Sequence, residues 1–263
     1  MRTIIIGDIH GCYHEFKALL KKVKYNSKKD RLVLLGDLMD RGPLSYEMLK
    51  WAIAWKKKHP DSFILIRGNH DQYIVEQSRD LDMMLIWMAV GKGATMRSFA
   101  RHKDRMKRYG QWIKDNMQIA YKDRDFQCVH AAIEHENIED NDLYRLVKDH
   151  FYAKENLYQG KLTIIGHIAL TEPTYFDGSG QAGIPLAYRQ WSPLKETGVI
   201  CIDTGCVFGR KLTAMLIEDD KYYLDYIDSR VCVKNRIHIY MKWIKRLCSL
   251  PILRNFTSES EIE

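Results

Sequence analysis

The chain has 263 residues, of which 46% are hydrophobic and 29% are charged, and its formal net charge is +7. This composition is typical of a globular protein and excludes a disordered or fibrous chain. The length suits one large α/β domain or two small ones, and no linker divides it. The longest uncharged apolar stretch, residues 83–91, is too short for a membrane-spanning helix. The apolar start at residues 3–6 is too short for a secretory signal.

The predicted elements alternate between short β-rich runs and longer amphipathic stretches. Strands are predicted at residues 3–6, 32–35, 63–66, 126–129, 162–165 and 199–202, with a terminal antiparallel pair at 212–217 and 222–227. Amphipathic helices follow the first two strands, and residues 72–118 are predicted to be mostly helical, as an insert or a cap. This alternation predicts an α/β fold with layered sheets.

Polar side chains stand where five of these predicted strands end. In chain order they are Asp8 and His10, Asp37 and Asp40, Asn69 and His70, His130, and His167. Because open α/β sheets bind ligands outside the carboxyl ends of their strands, we expect these side chains to share one crevice. Carboxylate, imidazole and amide groups suit manganese, iron or zinc better than calcium. One carboxylate that bridges two such ions would give a site for attack on phosphorus.

Three blocks of sequence carry a family resemblance. They are Gly-Asp-Ile-His-Gly at residues 7–11, Gly-Asp-Leu-Met-Asp-Arg-Gly at 36–42 and Gly-Asn-His-Asp at 68–71, followed by His130 and His167. Together they resemble the calcineurin-like metallophosphoesterases and, more narrowly, the bacterial and phage PPP-type serine/threonine phosphatases. The resemblance covers about residues 3–217, and three ordered blocks are more specific than one motif. It implies a layered sandwich of two mixed β-sheets flanked by helices.

The resemblance also implies a dinuclear metal centre. The first divalent ion would be held by Asp8, His10 and Asp37, and the second by Asp37 with Asn69, His130 and His167. We expect manganese, with iron or zinc as alternatives. A metal-bridging hydroxide would then attack the phosphorus directly and in line, without a phosphoenzyme.

Catalytic and phosphate-binding residues follow from the same resemblance. His70 would protonate the leaving oxygen, and Asp40 would orient that imidazole. Arg41 and Arg67 would bind the phosphoryl oxygens. Lys148 stands where the family usually has a phosphate-binding arginine, and a lysine lacks the bidentate fork of arginine.

Two other departures from the family pattern concern the surroundings of the site. Ile168 and Ala169 follow His167, where Thr-Pro is usual. Residues 87–95 loosely resemble a W-x-x-N-G-G-x-x-T stretch of bacterial members, with Val90 and Lys92 at the Asn and the second Gly. These departures leave the predicted metal ligands intact and concern the substrate contacts.

Three functions remain open at this point. The favoured one is hydrolysis of phosphoserine or phosphothreonine in a phosphorylated protein. The alternative is symmetrical hydrolysis of diadenosine tetraphosphate or a similar dinucleoside polyphosphate, by a relative with the same metal core. Such relatives often carry a neutral residue at the position of Asp40, so the acid favours the phosphatase. A non-catalytic phosphate-binding scaffold, motivated by Lys148 and Ile168, is the third.

The positive charge is concentrated near the C-terminus. Residues 230–254 contain seven basic residues and no acid, which leaves 34 basic and 34 acidic residues elsewhere. A basic amphipathic segment is typical of binding to an anionic membrane surface or an acidic partner, or of a helix packed on the domain with its lysines in water. No nucleic-acid motif accompanies the charge, so specific nucleic-acid binding is not expected. We therefore predict a catalytic domain at 1–228 and a C-terminal segment at 229–263.

Cysteine usage predicts the compartment. Six scattered cysteines form no C-x-x-C pair, which is typical of reduced thiols in a cytoplasmic protein. This predicts a cytoplasmic protein, and the basic segment leaves two alternatives open, peripheral binding at the membrane and packing on the domain.

Overall fold

The computed structural model describes residues 1–76, 81–149 and 157–231. The strands in these ranges are β1 (Arg2–Ile6), β2 (Asp30–Leu34), β3 (Phe63–Leu65), β4 (Ala120–Lys122), β5 (Gln127–Val129), β6 (Thr163–Ile165), β7 (Thr174–Phe176), β8 (Ile184–Pro185), β9 (Trp191–Pro193), β10 (Val199–Cys201), β11 (Lys211–Glu218) and β12 (Lys221–Asp228). The helices are α1 (Tyr13–Lys22), α2 (Ser45–Lys58), α3 (Asn69–Glu76), α4 (Leu81–Trp87), α5 (Gly93–Arg101), α6 (Gly110–Asn116) and α7 (Leu143–Val147). A π-helix (Met88–Lys92) joins α4 to α5, and 3₁₀ turns occupy Met106–Tyr109, Ile138–Asp140 and Cys206–Phe208.

The strands form two mixed sheets of six strands each. The first has the order β3-β2-β1-β11-β12-β9 and the second β4-β5-β6-β10-β7-β8. Strands β1, β2 and β3 are parallel, as are β5, β6 and β10. Each sheet therefore directs the carboxyl ends of three parallel strands to one edge, and the loops that follow them carry the predicted site residues.

Alternation along the strands divides the core into layers. Ile5 of β1 packs between the sheets with Cys128, Ile164 and Ile200 of the second sheet. The outward faces of the first sheet are covered by α1 and α2, where Phe16, Leu19, Met48 and Leu49 are buried against Ile4 and Ile6. The second sheet is covered on its outer face by residues such as Leu146 and Val147 of α7. This layering confirms the predicted α/β class with two mixed sheets flanked by helices.

Each predicted strand is present, with ends that differ by one or two residues, and residues 81–116 are mainly helical as expected. The short strands β4, β7, β8 and β9 escaped prediction because they are half-buried or exposed, and they lack the fully buried apolar run that marks β5, β6 and β10. The four described cysteines, at positions 12, 128, 201 and 206, are buried and unbridged. No helix within the described ranges is long and apolar enough to cross a membrane. Beyond Val231, the predicted basic segment lies outside the described residues.

Candidate metal centre

The loops after the parallel strands hold several site residues in an unusual backbone conformation. The left-handed region is occupied by His10, Asp37, Asp40, Arg41 and His167, with φ between 45° and 69°. Residues other than glycine rarely adopt this region, and each instance costs about 1–3 kcal/mol. Five of the nine such residues in the described part of the chain are predicted site residues. The fold therefore keeps these side chains in place at a cost in stability.

Asp37 lies at the centre of the site. One of its carboxylate oxygens, Oδ2, is 3.3 Å from His10 Nε2, and the other, Oδ1, is 3.6 Å from His130 Nε2. The Asp37 side chain is 2% exposed, and its Oδ1 also accepts a hydrogen bond of 2.9 Å from the backbone N–H of His70. The two oxygens thus face different histidines, as a carboxylate shared by two ions requires.

A second group of ligand atoms converges beside His130. Asn69 Oδ1 lies 3.2 Å from His130 Nε2 and 3.1 Å from His167 Nδ1, and the two imidazole nitrogens are 3.3 Å apart. Asp37, His130 and His167 form one three-residue cluster with metal-ligand spacing, and His10, Asp37 and His70 form another. The structure therefore brings together all four residues predicted for the second ion.

The protonation of these groups fits a cation. His10 and His130 each donate from Nδ1–H to a carbonyl, of Met39 and Leu35 respectively, at 2.7 Å, which leaves both Nε2 atoms as lone-pair acceptors. Burial lowers the pKa of His130 to about 4 and holds the pKa of His10 well below its usual range, so both are neutral at pH 7. Burial also raises the pKa of Asp37 to about 7. Lone pairs facing carboxylate oxygens repel, and a divalent ion between them turns that repulsion into coordination.

Asp8 lies at the edge of this cluster and belongs to neither three-residue group. Both of its carboxylate oxygens accept from the backbone N–H of His167, at 3.1 and 3.2 Å. Burial, and then the charges of Asp203 and Asp37, raise the pKa of Asp8 well above its usual range. The carboxylate is thus positioned beside the centre in surroundings that favour a nearby cation.

Two glycines allow the backbone to approach the carboxylates of Asp37 and Asp8 closely. A Cβ at Gly68 would collide with Asp37 Oδ1, and a Cβ at Gly166 would collide with Asp8 Oδ1. The glycine that precedes Asn69 and the one that precedes His167 are therefore needed to bring these ligand loops against the two carboxylates.

His70 and Asp40 form a buried pair beside the ligands. His70 Nδ1 is 2.8 Å from Asp40 Oδ2, and neither side chain is exposed. His70 Nε2 points the other way, 3.9 Å from Asp37 Oδ2, and has no hydrogen-bond partner among the described residues. In the neutral imidazole this nitrogen carries a lone pair, and only a His70 with protons on both nitrogens could give one to a group bound at the metal centre.

Of the three cations predicted to bind phosphate, the structure brings two to the site. Arg41 Nη1 is 2.6 Å from His10 Nε2. The Lys148 ammonium lies 5.4 Å from the ring of Tyr73, which itself contacts His70 edge-on. Burial holds the pKa of His70 well below its usual range, and the charges of Arg41 and Lys148 lower it further.

Arg67 points elsewhere. Its guanidinium donates to the carbonyls of Lys114 and Met117 at the end of α6, at 3.0 and 2.9 Å, and to Gln72 Oε1. In this arrangement Arg67 binds backbone rather than the metal centre, so the phosphate role predicted for it lacks support from the geometry.

Sequence reasoning missed two buried carboxylates. Asp203 follows β10 just as Asp8 follows β1, so the rule of polar residues after strands would have found it. Its side chain is 4% exposed and accepts from the backbone N–H of Gly205. Asp71, within the third signature block, accepts from the backbone N–H groups of Leu38 and Gly68 and ties two ligand loops together.

Sequence reasoning also missed two donors to Asp40. The indole N–H of Trp87 donates to Asp40 Oδ2 at 2.6 Å, and the Thr95 hydroxyl donates to Asp40 Oδ1 at 2.7 Å. Both residues lie in the segment that loosely resembles the W-x-x-N-G-G-x-x-T pattern. That resemblance was the one signal in the sequence that could have pointed to them.

Comparison with known proteins agrees with this geometry. The bis(5'-nucleosyl)-tetraphosphatase, symmetrical, of Methylobacillus flagellatus is 28% identical, over 83% of this chain and 92% of that protein. The protein of the same name from Psychromonas ingrahamii is 26% identical, over 90% of this chain and 99% of its own length.

Solved structures share the fold. A metallophosphoesterase from Sphaerobacter thermophilus superimposes with a TM-score of 0.61 at 17% identity and covers 94% of each chain. A protein serine/threonine phosphatase from Saccharomyces cerevisiae gives a TM-score of 0.59 at 13% identity, over 87% of this chain and 80% of that one. The family profile described as calcineurin-like phosphoesterase matches residues 1–230. With its ligand loops and two-sheet architecture, the chain belongs to the calcineurin-like phosphoesterase family.

Proposed function

We propose that this protein hydrolyses dinucleoside tetraphosphates symmetrically, which reverses the order that the sequence alone favoured. The observation that carries the proposal is the match to proteins of that name over 92–99% of their length. In the reaction, water attacks one of the two central phosphorus atoms, the bridging P–O bond between them breaks, and two nucleoside diphosphates result. The acid at Asp40, from which a phosphatase was predicted, does not by itself fix the substrate.

The residues of the centre would hold two divalent cations, as the resemblance implies. Asp37 offers one oxygen to each side of the cluster, and His10 and His130 offer fixed lone pairs. Bound ions would act as Lewis acids on the phosphoryl group and lower the pKa of water. We propose manganese, with iron or zinc as alternatives.

Charged side chains would orient the phosphate chain. Arg41 lies against His10 and its guanidinium would form charge-assisted hydrogen bonds with the oxygens of the scissile phosphate. Lys148, which lies over the ring of Tyr73, would neutralise a neighbouring phosphate of the same polyphosphate. After taking up a second proton from solvent, His70 would donate the Nε2 proton to the bridging oxygen as the bond breaks, while Nδ1–H stays on Asp40.

The second candidate is hydrolysis of phosphoserine or phosphothreonine in proteins. The pairing of His70 with Asp40 favours it, because a serine or threonine alkoxide is a far poorer leaving group than a nucleoside diphosphate and needs the acid more.

A cytoplasmic location, and membrane or acidic-partner binding through residues 230–254, remain predictions. The grouping of Asp37 with His130 and His167, together with the pair of His70 and Asp40, supports an enzyme rather than a scaffold.

The test is product analysis with the full chain and Mn²⁺. Diadenosine tetraphosphate and a panel of phosphoserine and phosphothreonine peptides are compared by kcat/KM, with Asp37→Asn as the inactive control. We expect the dinucleotide to be the better substrate and ADP to be its only nucleotide product. Equal amounts of AMP and ATP would contradict symmetrical cleavage, and a higher kcat/KM for a phosphopeptide would favour the second candidate.

A further inference from the structure

The helical segment made of α4, the π-helix and α5 sends two hydrogen-bond donors to a single carboxylate. Asp40 Oδ2 accepts from the Trp87 indole at 2.6 Å, and Oδ1 accepts from the Thr95 hydroxyl at 2.7 Å. The Thr95 oxygen also accepts from the backbone N–H of Asp40 at 2.9 Å. Asp40 and Thr95 are fully buried and Trp87 is 6% exposed. The helical segment therefore fixes both the carboxylate and the backbone of Asp40.

The third partner of that carboxylate is the proposed acid. His70 Nδ1 shares Oδ2 of Asp40 with Trp87, and the opposite ring nitrogen faces the metal ligands. An Asp40 side chain held by His70 alone could rotate and carry the imidazole with it. Donors on the far side of the carboxylate prevent that rotation, so they determine where His70 Nε2 points.

Packing around Trp87 supports the same arrangement. Its ring stacks on Tyr73 at 5.7 Å, and Tyr73 contacts His70 edge-on at 5.8 Å. The Lys92 ammonium lies 4.1 Å from the centre of the Trp87 ring. The indole is therefore held by a stacked ring and a cation, and its N–H group donates to Asp40. Packing alone would be satisfied by a phenylalanine ring, whereas the hydrogen bond requires the indole.

We propose that Trp87 and Thr95 are positioning residues that hold Asp40 so that His70 delivers its proton to the leaving oxygen. The inference rests on the proposed function through the role of His70 as the acid. In the step, water forms a new bond to phosphorus as the P–O bond to the leaving group breaks and its electron pair stays on the leaving oxygen. A His70 that has taken up a second proton from solvent gives its Nε2 proton to that oxygen, while Nδ1–H stays on Asp40. The contribution of the two residues therefore grows with the basicity of the leaving group.

The experiment compares two aryl phosphates that undergo the same reaction with different leaving groups. p-Nitrophenyl phosphate releases a weakly basic phenolate, and phenyl phosphate releases a more basic one. The variants are Thr95→Val, which removes the hydroxyl at nearly constant volume, Thr95→Ser, which retains it, and Trp87→Phe, which retains a ring without the N–H. All are assayed as full chains with saturating Mn²⁺, and the Kd of Mn²⁺ is measured by calorimetry.

We expect Thr95→Val and Trp87→Phe to lower kcat on phenyl phosphate by about 10–100-fold, a part of the full effect of an acid. On p-nitrophenyl phosphate we expect less than about a threefold change, because little protonation is needed. Thr95→Ser should behave like the wild type, and the Kd of Mn²⁺ should be unchanged.

Equal losses on both esters, or no loss on either, would overturn the proposal, as would a Thr95→Ser variant as impaired as Thr95→Val. If Thr95→Val does not fold by circular dichroism, Trp87→Phe decides the question on the same ratio of rates. Because aryl phosphates are used, a preference for phosphopeptides over dinucleotides would refute the proposed substrate and leave this result intact.

Discussion

Two parts of the site differ in what surrounds their carboxylates. At the strand ends, Asp37 faces the lone pairs of His10 and His130, which cannot donate a hydrogen bond to it. At the helical segment, Asp40 receives donors from Trp87, Thr95 and His70. Three residues apart in sequence, one carboxylate is arranged to receive metal ions and the other to hold a proton donor. The surroundings, rather than the residue type, divide these roles.

The largest loss of activity is expected from a substitution at Asp37. We expect Asp37→Asn to lower kcat by about a thousandfold, because charge stabilisation by a metal ion contributes several kcal/mol. Metal content after dialysis, measured by plasma mass spectrometry, should fall in parallel. Asp220→Asn, in the exposed turn between β11 and β12, is the matched control and should retain both metal and activity. If Asp37→Asn retained its full metal content, Asp37 would not be a metal ligand.

A change of pH tests whether the imidazoles at the strand ends are neutral. The pKa of His130 is lowered by burial to about 4, so the unfolded chain binds its proton more tightly than the folded one. Its stabilisation is present above about pH 6.5 and is lost as the pH falls towards 4, by about 3 kcal/mol at most. Urea unfolding of chelator-treated protein should show that His130→Gln loses less stability than the wild type over this interval.

The control for that series is His135→Gln, which changes an exposed histidine. Its free energy of unfolding should follow the wild-type pH dependence. If His130→Gln and the wild type lose stability equally between pH 6.5 and 4, the assignment of a neutral imidazole to His130 is wrong.

A smaller effect is expected at Lys148, which follows the end of α7 and lies 5.4 Å from the ring of Tyr73. Lys148→Ala should raise KM for a polyphosphate substrate by about tenfold with kcat nearly unchanged, the size of one charge-assisted hydrogen bond. Lys148→Arg should keep KM near or below that of the wild type. Steady-state kinetics decides, and an unchanged KM in the alanine variant would remove Lys148 from the site.

The smallest effect on activity is expected at Arg67. Arg67 joins the end of β3 to the carbonyls at the end of α6, so Arg67→Ala should lower the free energy of unfolding by about 1–2 kcal/mol. KM and kcat should stay within about twofold. A tenfold rise in KM, measured beside the Tm, would restore the phosphate-binding role predicted from sequence.

Sequence reasoning was most successful where the chemistry is local. Buried strands such as β1 and β2 have continuous apolar runs, and the ligands follow them within a few residues. It was weaker where partners are distant: Trp87 and Thr95 reach Asp40 across 47 and 55 residues. The direction of Arg67 depends on where α6 ends, and no spacing in the sequence encodes that. Long-range contacts are fixed by packing, which one sequence does not display.

The left-handed backbone at His10, Asp37, Asp40, Arg41 and His167 has a consequence for how this protein can be changed. Glycine would relax the chain at each of these positions and would remove the side chain that the loop exists to present. Selection for heat resistance and selection for turnover therefore pull in opposite directions at the same five positions. Stabilising the protein without loss of catalysis has to begin elsewhere, in the helices and sheet faces away from these loops.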